Sequence, residues 1–271
     1  VTTRIRLLGT VAISNERMTI IPAHHIRRGV LAALSFNADK LVTFDALKDW
    51  CWADPPTSAM PNLRSAVAGL RADLETVSPG MAAGLTTQRG ARGGGGGGYR
   101  LGIDPGRVDV IEFERLCRQA HRRLRADDWQ AASRYCLQAE ALWAGGFGAD
   151  LPPTAMVAMH ETALVVQHES MLETLFASVL LEGAEITARL PDLTIAVTAA
   201  PHRERLRLLH AAAQFLVGDL EGALASINRC TSYFDELGVG VPASIASLHH
   251  AALNRDANRV RSVVHAAASR C

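Results

Sequence analysis

A basic first hundred residues pass from short β-prone runs to amphipathic helices and close on a glycine-rich hairpin, and everything after them reads as helix; together these predict a mainly α fold with a small β component. The division expected is a winged helix-turn-helix domain over residues 1–104 and an all-α, tetratricopeptide-like domain over 108–271. Composition agrees: 48% of the 271 residues are hydrophobic but only 5% aromatic, and alanine is abundant, which suits packed helices better than sheets. The net charge of +1 hides an asymmetry. Residues 1–107 carry 13 Lys and Arg against 8 Asp and Glu, while the remainder carries 15 against 19. A basic front and an acidic back suit one half meeting a polyanion and the other meeting protein.

Residues 4–8 alternate polar and apolar up to Gly9, and Val11–Ile13 and Met18–Ile21 flank the turn-like Ser14-Asn15-Glu16-Arg17, so a small antiparallel sheet is expected. Pro22 closes it. A helix follows from about Ala23 to Asn37, with Ile26, Val30, Leu31, Ala33 and Leu34 inward. Thr43 is placed to cap a second helix, Phe44–Trp52, whose inward residues are Phe44, Leu47 and Cys51. Pro55 and Pro56 end it, because proline has no N–H to donate and clashes with the preceding turn.

Thr57 and Ser58 then stand where their hydroxyls can accept hydrogen bonds from the N–H groups that open the next helix, and Pro61 fits only in its first turn. Leu63, Val67, Leu70 and Leu74 make its apolar face. Asn62, Arg64, Ser65, Ala68 and Arg71 lie mostly opposite, a small and basic surface of the kind that enters a DNA major groove. Beyond it, a strand near Leu85–Gln88, a tip holding Arg89, Arg92 and the run Gly93–Gly98, and a returning strand Tyr99–Ile103 form a wing. Its arginines would lie beside the minor groove or the backbone. The glycines are not a phosphate loop, because no Gly-Lys-Ser/Thr and no helix follow.

Asp104–Arg107 reads as a short joint. Phe113, Leu116, Cys117, Ala120 and Leu124 form the stripe of one helix, and Asp127-Asp128-Trp129 opens another that runs to Trp143. Similar openings recur at Gly183-Ala184-Glu185-Ile186 and Gly218-Asp219-Leu220, 35 residues apart and close to the tetratricopeptide period of about 34. Stacked helix pairs of this kind present curved, protein-binding surfaces.

No catalytic constellation emerges and no cofactor or metal is expected. His160-Glu161 and His168-Glu169 begin a metalloprotease pattern, but Leu164 and Leu172 stand where the second histidine is needed. His24 and His25 are adjacent, so on a helix they diverge by about 100° and do not chelate together. Cys51, Cys117, Cys136, Cys230 and Cys271 are scattered and odd in number, as in reduced, cytoplasmic proteins. No apolar run reaches the roughly 20 residues of a membrane helix, and the N-terminus has no signal-peptide core. A cytoplasmic protein is expected, nucleoid-associated when bound to DNA.

Several phrases, taken in order, resemble the antibiotic regulatory proteins of actinobacteria, the SARP family. They are Arg4-Ile-Arg-Leu-Leu-Gly, Trp52-Ala-Asp-Pro-Pro before Ser58-Ala59, Val67-x-x-Leu70-Arg71-x-x-Leu74, Gly98-Tyr99-Arg100-Leu101 and Val108-Asp109-x-x-x-Phe113-Glu114. Glu140-Ala-Leu-Trp143, Pro201-His-Arg-Glu-Arg205-Leu and Glu236-Leu-Gly238 extend the likeness into that family's bacterial transcriptional activation domain. The resemblance implies an activator that binds direct repeats near a promoter, with two copies side by side as a homodimer on double-stranded DNA, and that recruits RNA polymerase for an antibiotic gene cluster. It places Arg64, Ser65, Ala68 and Arg71 toward the groove and Thr57 and Ser58 near phosphates. Gly69, Pro61 and the six-glycine wing depart from the pattern. Gly69 in particular costs the helix about 1 kcal/mol relative to alanine. These departures motivate the alternative of a helical-repeat scaffold whose winged domain binds DNA weakly.

Overall fold

A computed structural model describes residues 3–88 and 97–269. The chain folds as two compact units, residues 1–115 with 139–166 and residues 116–138 with 167–271.

In the first unit, β1 (Arg4–Arg6), β2 (Ala12–Ser14) and β3 (Thr19–Ile20) form an antiparallel sheet in that order. The expected alternation sets its register, with Ile5 facing Ile13 across the ladder and both buried. Asn15 makes the turn, its Oδ1 accepting the N–H groups of Arg17 and Met18. Three helices follow: α1 (His25–Phe36), α2 (Phe44–Cys51) and α3 (Ala59–Val77). Val30, Leu31, Ala33 and Leu34 are buried as expected, while Ile26 is half-buried. The Thr43 hydroxyl accepts the Ala46 N–H at 3.2 Å and so caps α2.

A two-residue strand that sequence reading missed, β4 (Val42–Thr43), joins the hairpin of β5 (Leu85–Gln88) and β6 (Gly98–Leu101) in a second sheet of order β4-β6-β5. The last glycine of the wing has a packing role here. A Cβ on Gly98 would lie 2.0 Å from the Val42 carbonyl oxygen, so β4 and β6 approach this closely only over glycine.

The packing boundary falls later than the one drawn at 104–108. α4 (Asp109–Arg125), α5 (Trp129–Glu140) and α6 (Ala155–Glu182) each contribute residues to both units. The Asp109 carboxylate accepts the Leu7 N–H at 2.8 Å and the Leu8 N–H at 3.0 Å, and Val108 bridges to Ile5. From the other segment, Asp150 accepts the Val11 N–H at 2.9 Å and pairs with Arg28 at 3.0 Å, and Phe147 bridges to Leu8. His160, the first half of the rejected metalloprotease pattern, stacks on Trp50 with ring centroids 5.0 Å apart and packs on Phe36 and Phe147. Burial lowers its pKa, and the half-buried ring packs among these aromatics.

One correction concerns membrane length. α6, with 28 residues, is long and apolar enough to cross a bilayer, but 61% of its most apolar stretch is buried inside the fold.

The second unit adds α7 (Ile186–Ala199), α8 (Glu204–Leu216), α9 (Leu220–Glu236), α10 (Ala243–Leu253) and α11 (Ala257–Ala268) around Leu124, Phe176, Leu193, Leu209, Ile227, Leu248 and Val264. Its helix pairs α4–α5, α8–α9 and α10–α11 share one turn. A residue of positive φ (Asp127 at 56°, Gly218 at 94°, Arg255 at 54°) ends the first helix. The aspartate after it donates its N–H five residues back, to Arg123, Gln214 and Ala251 respectively. The same aspartate's Oδ1 accepts from Ala131, Gly222 and Arg259 and so caps the second helix. The opening at Gly183 begins alike, with Gly183 at a φ of 78°, but a second residue of positive φ, Glu185 at 54°, stands at the N-cap of α7 and its side chain makes no cap. The third copy lies instead at Arg255-Asp256, where the arginine hides it from sequence comparison.

Candidate nucleic-acid interface

The candidate surface is built on α3. Leu63, Val67, Leu70 and Leu74 are fully buried or nearly so, with Ala59, Ala66 and Val77 beside them. Pro61, Arg64, Ser65, Ala68 and Ala72 form an exposed stripe at intervals of three and four residues. Arg64 has no hydrogen-bond or ion-pair partner among the described residues, so a full guanidinium fork faces solvent from the middle of a stripe of small side chains. Such a stripe can approach a base edge closely.

The remaining expected residues are less alike than the sequence suggests. Thr57 and Ser58 are exposed in the turn before α3, but Ser58, at the N-cap, makes no side-chain cap. The cause is Pro61. A capping hydroxyl accepts from the second or third helical N–H, and the third position here is a proline with none to donate. The Ser58 hydroxyl instead accepts from the half-buried Asn62 amide at 3.3 Å. Arg71, expected on the groove-facing side, has partners within the fold. Its Nε and Nη2 donate to the Leu85 carbonyl at 3.3 and 3.0 Å, and Nη2 also donates to the Thr87 hydroxyl at 3.3 Å. Arg89 and Arg92 lie outside the described residues.

Gly69 has a role that sequence reasoning missed. A Cβ there would stand 2.2 Å from Arg27 Nη2 and 2.3 Å from its Cζ, so the bare helix is the seat of the Arg27 guanidinium. From that seat Arg27 Nη1 reaches the Asp73 carboxylate at 3.0 Å, tying α1 to α3. The available signal was the glycine itself: in a helix interior it marks a close approach from outside. The Arg100 guanidinium of β6 is likewise engaged, donating to the Asp39 carbonyl and carboxylate. Among the described residues no group of three or more His, Cys, Asp or Glu could hold a metal ion.

Residues 108–253 match the sequence family described as the bacterial transcriptional activator domain. The chain is 28% identical over 264 residues to the regulatory protein DnrI of Streptomyces peucetius, covering 93% of each. It is 30% identical over 256 residues to the transcriptional regulator RedD of Streptomyces coelicolor, covering 93% of this chain and 71% of that one. It is 26% identical over 253 residues to the transcriptional regulatory protein EmbR of Mycobacterium tuberculosis and spans 63% of that protein's length. The solved structure of Mycobacterium tuberculosis EmbR in complex with a low affinity phosphopeptide aligns with a TM-score of 0.84 at 24% identity, covering 98% of this chain and 69% of that one. It shares the same order of folds, a winged domain and then a helical one.

Proposed function

Because the chain belongs to the SARP family of transcriptional regulators, we propose that it is a sequence-specific activator whose α3 enters the major groove of duplex promoter DNA while the hairpin of β5 and β6 lies along the flanking backbone. The observation that carries this reading is the exposed stripe of α3: Arg64, without a partner among the described residues, between Pro61, Ser65 and Ala68, on a helix whose opposite face is buried. A guanidinium fork free of intramolecular acceptors can grip guanine through O6 and N7, and neutralised phosphates add salt-dependent affinity. The finer terms of the proposal follow the family: direct repeats at the promoter, two copies side by side, recruitment of RNA polymerase, and a secondary-metabolite gene cluster. As a regulator of transcription it acts in the cytoplasm, at the nucleoid, and it needs no catalytic activity. Of the features that favour the scaffold alternative, Gly69 has a packing role under the Arg27 guanidinium, which supports the DNA-binding reading.

Gel-shift titration of the upstream regions of neighbouring genes at two salt concentrations tests the reading. Binding should weaken steeply with salt. Arg64→Ala should cost about 1–3 kcal/mol on the preferred site and relax the preference at one base pair. Binding no better than that of an unrelated acidic protein overturns the proposal.

A further inference from the structure

We infer that Arg71 is a positioning residue of the DNA-binding surface: it ties α3 to the edge strand of the wing so that helix and hairpin meet the duplex as one body, and it does not read a base. The inference rests on the DNA-binding reading above and divides the two arginines that the sequence presents as equivalents.

The argument begins with donor arithmetic. A guanidinium carries five N–H donors, one on Nε and two on each terminal nitrogen. Arg71 directs Nε and Nη2 at one carbonyl, that of Leu85, and Nη2 also at the Thr87 hydroxyl. Both Nη2 hydrogens and the Nε hydrogen are thereby engaged. The two left, on Nη1, point apart, so the parallel pair that grips guanine O6 and N7 is not available. Arg64, two turns earlier on the same helix, engages none of its five among the described residues.

The acceptors give the arrangement its purpose. β5 is an edge strand in the order β4-β6-β5, so the hydrogen-bonding groups on its outer side have no neighbouring strand. The Arg71 fork takes the place of that neighbour at Leu85, and its Thr87 contact extends the hold two residues along the strand toward the tip. Residues 85 and 87 lie on the same edge because the pleat repeats every second residue. Leu85 is itself buried, which fixes the start of the strand, while Thr86, Thr87 and Gln88 are exposed. Without the clamp, the exposed length of β5 is held by β6 alone.

The experiment compares the full-length protein with Arg71→Ala, Arg71→Lys and, as a contrast, Arg64→Ala. Amide hydrogen exchange without DNA is read over 85–88 and 98–101, and affinity is measured across a panel of single-base operator variants and on a duplex trimmed on the wing side. In Arg71→Ala we expect faster exchange in the hairpin with α3 unchanged, and affinity about tenfold lower for every operator variant alike, within the range of charge-assisted hydrogen bonds. Trimming should penalise the wild type but add little to the variant, because the wing's contribution is already gone. Arg71→Lys, able to make one bond but not the fork, should fall between the two. Arg64→Ala should leave hairpin exchange untouched and change base preference. A changed preference at one base pair in Arg71→Ala with unaltered hairpin exchange overturns the inference in favour of base reading. Wild-type protein that binds no duplex overturns the DNA-binding reading and this inference with it. Altered exchange with wild-type affinity leaves the DNA-binding reading standing and overturns the positioning role.

Discussion

Replacing Gly69 with alanine sets two effects of opposite sign against each other. Alanine favours a helix interior over glycine by about 1 kcal/mol, so in open space the change would stabilise α3. Here the new methyl would stand within 2.2–2.6 Å of Nη2, Cζ and Nε of Arg27, and the guanidinium must leave. Its departure breaks the 3.0 Å pair with Asp73, in which both side chains are about four-fifths buried. A hydrogen bond to a charged group contributes about 1.5–3 kcal/mol, and Asp73 is left largely buried without its cation. The net expectation is a destabilisation of about 0.5–2 kcal/mol, from the difference of these two terms. The decisive control is the Arg27→Met background, where the seat no longer holds a charge pair. There Gly69→Ala should come closer to its intrinsic helix gain, so the sign should move toward stabilisation. Denaturant-dependent amide exchange of α3 measures both, since it reports the first unit without assuming that the whole chain unfolds in one step. If Gly69→Ala stabilises α3 equally in both backgrounds, the Arg27 seat is not the reason for the glycine.

Two further outcomes follow from local chemistry. Thr43→Ala should destabilise α2 by about 1 kcal/mol, whereas Ser58→Ala should cost α3 only a few tenths, because the Thr43 hydroxyl caps its helix and the Ser58 hydroxyl does not; equal losses in denaturant unfolding would contradict this difference. Burial pushes the Asp109 carboxyl up to about 6 although the N–H groups of Leu7, Leu8 and Val110 pull it down. The native state therefore takes up this proton before the unfolded chain does. Its contribution to stability is full below the ordinary carboxylate range and is lost as pH rises through about 6, at no more than about 1.4 kcal/mol per pH unit. Carboxyl-carbon NMR should place the midpoint there, and a midpoint at or below the ordinary value would mean that the three N–H groups outweigh burial.

What was legible from sequence was periodic or local. The 3.6-residue stripe of α3, the two-residue alternation of β1, and the Thr43 cap each depend on neighbours within a turn or a short strand, so spacing alone exposes them. What escaped depends on partners far along the chain. Asp109 meets Leu7 across 102 residues and Asp150 meets Val11 across 139, and nothing near either aspartate announces a backbone N–H as its partner. Arg71 shows the same limit within the candidate site. Its place on the helix face was readable, but the Leu85 carbonyl that engages it lies on another element, so a readable position did not give a readable role. The third helix turn escaped for another reason: a non-glycine residue of positive φ, Arg255, carries no compositional mark.

The first unit's dependence on Asp109, Phe147 and Asp150 bears on how such a protein can be recombined. The segment that carries α3 and the wing ends, by appearance, at the turn of Asp104–Arg107, and a crossover there would seem to deliver a portable reader of DNA. It would strand the N–H groups of Leu7, Leu8 and Val11 without their carboxylates and uncover Leu8 and Trp50 where Phe147 and His160 lay. A graft cut at 107 should therefore be soluble only if the host supplies equivalents. On the proposed function, operator specificity should for the same reason be changed more readily by point changes at positions such as 64, 65 and 68 than by trading whole N-terminal modules. The inheritable unit is longer than the part that reads.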